Sequence, residues 1–204
     1  MARVGILGGT FNPPHLGHLI CAQEALSQLG LDVVVLMPVS SPPHKALDDE
    51  PGPRHRLELC RRATRDDPRL EVSDLEVARG GVSYTVDTLA ELHEREPGSE
   101  LTWIAGGDMA ASLPAWREPA RVLALARFAV AEREGAARAE VERVVEGLGV
   151  SRAVVFLDMP RVDISSSLVR GRVAAGLPIR YLVPDGVAEY VDAHGLYRSA
   201  VPAS

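Results

Sequence analysis

Two histidines near the start of the chain, His15 and His18, are spaced for joint chemistry. Residues three apart lie on one face of a helix, so both imidazoles would meet the same ligand. A glycine pair, Gly8-Gly9, ends an apolar run typical of a strand, and we expect it to turn the chain tightly and leave backbone amides open. Amides, a helix N-terminus and two imidazoles at one point favour a phosphate group. Without that context, such a pair would more often be surface decoration or a weak metal site.

The residues between the glycines and the histidines fit the start of a helix. Asn12 is a good N-cap residue, and Pro13 suits the first helical position. The first strand and the first helix would therefore meet at the carboxyl end of the strand, which is where open α/β sheets bind their ligands.

A second candidate anion site lies toward the end of the chain. Ser165 and Ser166 precede an apolar run, and serine in this position is typical of a helix N-cap. Arg170 follows about one helical turn later and can return toward the same end. The alternative for Arg170 is an ordinary solvated arginine.

Lys45 is the single lysine among 22 basic residues, the other 21 being arginine. Codon usage in a G+C-rich genome would account for the arginines. It leaves open why one lysine stands in the segment Pro42-Pro43-His44-Lys45. We take the presence of this single lysine as an indication that Lys45 has a function.

Two residues of the middle of the chain are candidates for binding a nucleotide. Asp108 follows Gly106-Gly107 at the end of a predicted strand, where an acid can accept hydrogen bonds from ribose hydroxyls; the alternative is a helix N-cap. Trp116 lies in a loop-like stretch nearby, and a flat indole stacks well on a pyridine ring, although tryptophan is more often core. The remaining candidates are expected to be structural: Trp103, Cys21 and Cys60 in the core, and His55, His93 and His194 structural or exposed.

These residues need a scaffold, and the apolar pattern predicts one. Short unbroken apolar runs, typical of parallel strands covered on both faces, alternate with stretches of helical spacing. The predicted strands are 3–7, 32–37, 70–73, 101–105, 127–131 and 153–157. The predicted helices are 15–29, 57–64, 84–95 and 137–147, with two more from 165 onward on either side of 176–178. The fold class is α/β, a single domain over 1–204 with a parallel sheet of five to six strands and a small helical portion over about 165–204.

The composition is that of a globular chain: 204 residues, 46% hydrophobic and 25% charged, with a net charge of -6. The acidic balance argues against a protein that binds the nucleic-acid backbone. The two cysteines form no CxxC pair, which excludes a disulfide framework and favours a reducing compartment. No apolar run approaches the roughly 20 residues that cross a bilayer, and no signal peptide is evident. We expect a cytoplasmic protein without nucleic-acid or membrane partners; a homo-oligomer stays open.

The two anion-site segments resemble the signatures of the nucleotidylyltransferase superfamily. The segment 8–18 is similar to the HxGH motif, and 164–170 is similar to the ISSTxxR motif, with Ser167 for the usual Thr. One branch resembles the chain over nearly its whole length, the bacterial nicotinate mononucleotide adenylyltransferases. Further matching segments are 42–45, 83–89, 106–108 with Leu113 and Trp116, and 181–184 through 196–197. Two departures are Asn12 for a common Asp and 132–135 for an Arg-Pro-Gly turn, so Arg133 is left out of the site.

The resemblance implies a Rossmann-like doubly wound sheet and the transfer of the adenylyl group of ATP to nicotinate mononucleotide. Nicotinate adenine dinucleotide and pyrophosphate would be the products, in NAD biosynthesis. His18 would act on the α-phosphate, His15, His44 and Lys45 would gather other phosphate oxygens, and Arg170 would contact the β- and γ-phosphates. Further ATP-binding residues implied by the resemblance are Gly9, Thr10, Phe11, Gly106, Asp108, Ile164, Ser165 and Ser166.

The same resemblance assigns the acceptor side of the site. Trp116 would stack on the nicotinate ring, and backbone amides near Thr85 and Arg117 would hold its carboxylate. Mg²⁺ is expected to arrive with ATP, without a dedicated protein metal site.

Three other functions stay open at this point. Pantetheine-phosphate adenylyltransferases resemble the chain at both signatures but typically have Thr where His15 stands. A non-catalytic nucleotide sensor could use the same fold, although it need not keep both histidines. A metal protein could use His15, His18, His44 and His55.

Overall fold

A computed structural model describes residues 1–43, 49–132, 138–148 and 154–198, and its centre is one parallel sheet. Six strands lie in the order β3-β2-β1-β4-β5-β6, and every neighbouring pair is parallel. The strands are β1 Arg3–Gly9, β2 Val33–Pro38, β3 Leu70–Val72, β4 Glu100–Gly106, β5 Arg127–Glu132 and β6 Val154–Asp158. All six predicted strands are confirmed, apart from the residue at 153, which lies outside the described residues. The order reverses between β1 and β4, which is the ligand-binding crevice of a doubly wound sheet.

Helices cover both faces of the sheet and form the C-terminal portion. They are α1 Leu16–Leu29, α2 Pro53–Thr64, α3 Leu75–Arg79, α4 Thr85–Arg95, α5 Gly107–Ala111, α6 Pro119–Leu125, α7 Arg138–Gly147, α8 Ser166–Ala174 and α9 Asp185–Ala193, with a 3-10 turn over Leu113–Ala115. The helices α3, α5 and α6 were not predicted, because five to seven residues show less than two turns of periodicity. The helix α2 begins at Pro53 rather than at Leu57, because its first turn buries an arginine that the apolar pattern cannot reveal.

The strands separate two apolar layers. Ile6, Trp103 and Phe128 pack on one face of the sheet, whereas Leu7 and Ile104 pack on the other. A third apolar cluster joins α2 to α8 and α9 and so fastens the C-terminal portion to the sheet domain. In the described parts of the chain, no helix is both long enough and apolar enough to cross a bilayer.

The predicted glycine turn at Gly8-Gly9 is wrong, because both residues belong to β1 and neither has a positive φ. Their role is to leave room. A Cβ on Gly8 would lie 2.3 Å from Cζ2 of Trp103, and one on Gly9 would lie 3.1 Å from Cζ of Phe11. The positive φ of this region is found at Phe11, with φ 50°. The sequence showed two glycines, but not that two aromatic rings occupy the space beside them.

The Gly8→Ala variant should therefore be destabilised by about 1–3 kcal/mol, the usual cost of overpacking a core. The buried Trp103 would have to move, and it also forms part of the cavity described below. The measurement is the free energy of unfolding in urea. Gly171→Ala is the matched control, since a Cβ there would meet nothing within 4 Å and a helical glycine gains stability on becoming alanine. Equal stability of both variants would contradict this role of Gly8.

Candidate active site

A cavity of about 470 Å³ lies at the carboxyl ends of β1 and β4, at the crevice that the strand order predicts. Eleven of the residues that the sequence singled out line it: Gly9, Thr10, His15, His18, Thr85, Gly106, Trp116, Arg117, Ile164, Ser165 and Ser166. The two signature segments and the proposed nicotinate residues thus meet around one space. Residues 44 and 45, predicted to bind phosphate, lie outside the described residues.

The two histidines are in contact, as their spacing predicted. Their ring centroids are 3.8 Å apart, and the backbone N–H of His15 donates to Nδ1 of His18 at 3.1 Å. Because Nδ1 of His18 accepts that hydrogen bond, a neutral His18 ring carries its proton on Nε2. His15 is buried, whereas His18 is partly exposed to the cavity. The pair therefore provides a fixed N–H donor on His18 with a second imidazole behind it.

The start of α1 differs from the prediction. The helix begins at Leu16 with His15 as its N-cap, not with Asn12 as the cap and Pro13 as its first residue. The reason is Pro14, because a residue before proline is disfavoured in the helical conformation and Pro13 precedes one. The amides of the first turn are also less open than expected, since Leu16 donates to the carbonyl of Leu182 at 3.0 Å.

Asn12 instead anchors the loop between β1 and α1. It is buried; its side-chain Oδ1 accepts a hydrogen bond from the hydroxyl of Tyr197 at 2.8 Å, and its backbone carbonyl accepts one from Nη1 of Arg170 at 2.9 Å. Burial raises the pKa of Tyr197, so its hydroxyl stays protonated as a donor. Asn12 is thus the point where the C-terminal portion holds the first loop.

The second signature segment folds as predicted. Ser165 is the N-cap of α8, and its Oγ accepts the backbone N–H of Leu168 at 3.1 Å. The Oγ of Ser166 donates to the carbonyl of Pro13 at 2.8 Å, which ties α8 to the first loop. The first N–H groups of a helix have no acceptor within it, so anion binding by the amides of Ser166 and Ser167 stays a prediction that this geometry permits.

Arg170 lies behind the main cavity. Its Nη1 donates to the carbonyl of Asn12, its Nη2 lies 3.4 Å from Oγ of Ser167, and the side chain lines a second cavity of about 360 Å³. Contact between Arg170 and the β- and γ-phosphates stays a prediction, since Arg170 does not line the main cavity.

The proposed nicotinate residues stand on the opposite wall. Thr85 is the first residue of α4, and Trp116 ends the 3-10 turn, with its Nε1 donating to Oγ of Ser112 at 3.0 Å. The guanidinium of Arg117 lies 5.0 Å from the Tyr84 ring centroid and 3.2 Å from Oδ2 of Asp87. The indole and the start of α4 therefore enclose one end of the cavity.

Besides Arg170, two further predicted ATP-binding side chains lie outside the cavity wall. Phe11 is 1% exposed and packs edge-on against His18 with ring centroids 5.0 Å apart, so it supports the histidine from the core. Asp108 is the second residue of α5 and is exposed beside Gly106, which caps that helix and lines the cavity. Its contact with adenosine stays a prediction.

The cavity wall also contains residues that the sequence had assigned to the core alone. Trp103 and Cys21 are buried among apolar side chains, as predicted, yet both also line the cavity. A signal existed for each: Trp103 is on the strand that leads into Gly106-Gly107, and Cys21 follows His18 by three residues on one helix face. Ser83 and Tyr84 also line the cavity; they belong to the matching segment 83–89 but were not named as site residues. Met109 was missed because nothing in the sequence sets it apart.

The remaining histidines are structural, as predicted. His93 contacts the Leu125 carbonyl, and His55 and His194 surround Tyr190 at the contact of α2 with α9. Among the residues that the structure describes, no group of three His, Cys, Asp or Glu side chains is placed to hold a metal ion. Burial raises the pKa of the Cys60 thiol, which makes it a poor nucleophile.

The chain is similar to known proteins in both sequence and fold. The cytidylyltransferase-like family model matches residues 6–172. The probable nicotinate-nucleotide adenylyltransferase of Roseiflexus sp. (strain RS-1) is 46% identical over 199 residues, covering 97% of this chain and 98% of that protein. The nicotinate-nucleotide adenylyltransferase of Bacillus subtilis (strain 168) is 39% identical over 199 residues, covering 98% of this chain and 100% of that protein.

A solved structure gives the same fold at low sequence identity. The Plasmodium falciparum nicotinic acid mononucleotide adenylyltransferase complexed with NaAD superposes with a TM-score of 0.76 at 16% identity, covering 97% of this chain and 98% of that one. Together with the sequence relatives, whose similarity extends over nearly the full chain, this agrees with the family resemblance of the two signature segments. The chain therefore belongs to the cytidylyltransferase-like family and, within it, to the nicotinate-nucleotide adenylyltransferases.

Proposed function

We propose that this chain transfers the adenylyl group of ATP to nicotinate mononucleotide, giving nicotinate adenine dinucleotide and pyrophosphate, in NAD biosynthesis. The observation that carries the proposal is the composition of the cavity. His15, His18 and the start of α8 form an anion-binding wall, and Trp116 with the start of α4 forms a wall suited to an aromatic acid. A triphosphate and a pyridine mononucleotide can therefore meet in one space.

The attacking group is the phosphate of the mononucleotide. Its oxygen forms a bond to the α-phosphorus of ATP while the bond to the bridging oxygen of the β-phosphate breaks. The second pKa of such a phosphate is about 6, so it is already largely a dianion at neutral pH. The reaction needs no general base, and catalysis comes from in-line positioning and from stabilising charge on the phosphates.

The described residues can supply that stabilisation. The N–H on Nε2 of His18 would donate to a non-bridging oxygen of the α-phosphate, where negative charge grows in the transition state. His15 supports His18 by contact of the two rings and by its backbone N–H. The amides at the start of α8 would hold the pyrophosphate as it leaves. Arg170 would join them with N–H groups that the Asn12 carbonyl does not engage.

Mg²⁺ would enter with ATP. Magnesium keeps several waters and takes phosphate oxygens as ligands, and it would reduce repulsion between the attacking phosphate and the triphosphate. This suits a site whose described cavity wall offers histidines and amides rather than a cluster of carboxylates.

The nicotinate ring would stack on Trp116, with its carboxylate toward the first amides of α4. Those amides lack acceptors within the helix, and Tyr84, the N-cap, provides no side-chain cap. Asp87 in the same turn is engaged by Arg117, so its charge is balanced where the carboxylate would bind.

The test is pyrophosphate release from ATP with a panel of acceptors: nicotinate mononucleotide, nicotinamide mononucleotide and phosphopantetheine. We expect the highest kcat/KM with nicotinate mononucleotide. Activity with phosphopantetheine alone would make the chain a pantetheine-phosphate adenylyltransferase. Tight ATP binding without any release would make it a nucleotide sensor.

Lys45 gives a separate prediction. If it holds phosphate as a point charge, Lys45→Arg should keep partial activity and Lys45→Ala should lose most of it. The assay is kcat/KM for ATP under saturating nicotinate mononucleotide. Near-normal activity of both variants would mean that Lys45 does not bind phosphate and that codon usage alone explains the excess of arginine.

A further inference from the structure

Arg56 is the largest side chain that the fold buries completely, with 0% of its surface exposed. It belongs to the first turn of α2, the part of that helix that the apolar pattern did not predict. A buried charge is costly unless its hydrogen bonds are satisfied, so a fully buried guanidinium requires specific partners.

The partners of Arg56 come from three places in the chain. Its Nε donates to Oε1 of Glu50 at 2.7 Å, its Nη1 to the carbonyl of Thr10 at 2.9 Å, and its Nη2 to the carbonyl of Ser40 at 2.9 Å. Each nitrogen of the guanidinium thus holds a different segment. The arrangement therefore depends on the planar geometry of the guanidinium N–H groups as well as on their charge.

One of these acceptors belongs to the wall of the cavity, and a second lies next to residues of that wall. Thr10 lines it directly, and Ser40 follows Val39, which also lines it, and precedes Pro42 and Pro43, which line it as well. Arg56 stands behind that wall and reaches the cavity only through backbone carbonyls. It fixes the distance between the loop after β1 and the loop after β2.

Two of these three bonds hold the residues on either side of the segment that contains His44 and Lys45. Ser40 precedes that segment and Glu50 follows it, and Arg56 binds both. The backbone N–H of Ser40 is hydrogen-bonded as well, since it donates to Oγ of Ser83 at 3.1 Å. The N–H of Ser83 in turn donates to the carbonyl of Ser41 at 2.9 Å. Ser40 is therefore fixed from α2 on one side and from the start of α4 on the other.

We infer that Arg56 is a positioning residue for the ATP side of the site: it sets the spacing between the loop after β1 at Thr10 and the loop after β2 at Ser40, two loops that contribute to the cavity wall. The inference rests on the proposed function in that ATP is the ligand so positioned. Lysine cannot replace arginine here, because one ammonium group cannot reach three acceptors that lie around a planar fork.

The experiment measures the binding of α,β-methylene ATP, which needs no mononucleotide, by calorimetry well below the unfolding midpoint of each variant. Arg56→Lys should weaken binding about 10- to 100-fold, the size expected when binding groups are displaced by about an ångström. Glu50→Ala keeps the bonds of Arg56 to the two carbonyls and loses only the bond at residue 50. It should therefore weaken binding less, about three- to ten-fold. Glu50→Gln leaves an oxygen for Nε of Arg56, so the buried guanidinium keeps all its bonds and this third variant remains informative if the other two fold poorly; it should weaken binding less than Glu50→Ala.

Arg62→Lys is the matched control. Arg62 lies on the same helix, and its Nε also donates to a glutamate, Glu58, at 2.8 Å, but the pair is exposed. Its substitution should leave the dissociation constant within about two-fold. A purely structural role of Arg56 would lower the thermal midpoint of Arg56→Lys and leave the affinity of the folded protein unchanged, and that result would overturn the inference.

Two outcomes separate this inference from the proposed function. Binding of the analogue that depends on Arg56 and Glu50, without transfer to nicotinate mononucleotide, would overturn the proposed function and support the positioning role. Absence of analogue binding by the unchanged protein would overturn the positioning role directly.

Discussion

Replacing His18 by alanine is expected to lower kcat about 10²- to 10³-fold, with much smaller changes in the KM for either substrate. The reason is that its Nε2–H would meet the α-phosphate where charge develops in the transition state, rather than where the ground state is bound. The measurement is steady-state kinetics of pyrophosphate release. A variant that keeps more than half of the activity would contradict this role.

The structure shows which control this experiment needs. His18 also accepts the His15 N–H, so alanine removes a cap of α1 together with the catalytic donor. His18→Asn can place its Oδ1 near the position of Nδ1 and keep the cap, but it is too short to provide the Nε2–H. We expect His18→Asn to regain stability and to remain as inactive as His18→Ala. His194→Ala, at an exposed histidine, should be fully active.

The second large effect concerns the choice between nicotinate and nicotinamide mononucleotides. We expect kcat/KM to favour the acid by about 10- to 10³-fold. Charge-assisted hydrogen bonds from the amides at the start of α4 are roughly twice as strong as neutral ones. An amide would also turn its own N–H₂ toward those donors and leave buried groups unpaired, at about 1–3 kcal/mol each.

Three variants test where this selectivity arises. Arg117→Ala should reduce it only partly, because Arg117 acts from an exposed position and is paired with Asp87. Thr85→Ala should also reduce it only partly, because the backbone amide at that position remains. Trp116→Ala should weaken both mononucleotides together by removing the stacking surface. Equal kcat/KM for acid and amide in the unchanged protein would refute the argument and indicate an enzyme of dual specificity.

The sequence predicted the scaffold well because it depends on local patterns. Unbroken apolar runs gave all six strands, and the parallel order places Gly9, Gly106 and the residues that follow them at one edge of the sheet. The N-cap at Ser165 followed from serine chemistry alone. Such features are determined by a few neighbouring residues, so periodicity and capping rules are sufficient for them.

The features that the sequence did not give depend on partners far along the chain. The Gly8 prediction failed because Trp103 supplies the neighbour that requires a glycine. The anchoring role of Asn12 was missed because it depends on Tyr197 and Arg170. Arg56 lay outside the predicted helix 57–64, and its role depends on Thr10 and Ser40. The start of α1 is the exception, since the Pro13-Pro14 pair already disfavoured a helix there.

The bond between Tyr197 and Asn12 has a consequence for the synthesis of the chain. The hydroxyl and the guanidinium that hold the first loop belong to residues that are synthesised 185 and 158 positions after Asn12. The Leu182 carbonyl, which accepts the first amide of α1, also follows β6 in the chain. A nascent chain therefore contains the six described strands before it contains the residues that fasten this loop. A chain truncated before Tyr197 should keep a folded sheet and the bonds of Arg170 and Ser166 to the first loop, but it should lose the bond to Oδ1 of Asn12.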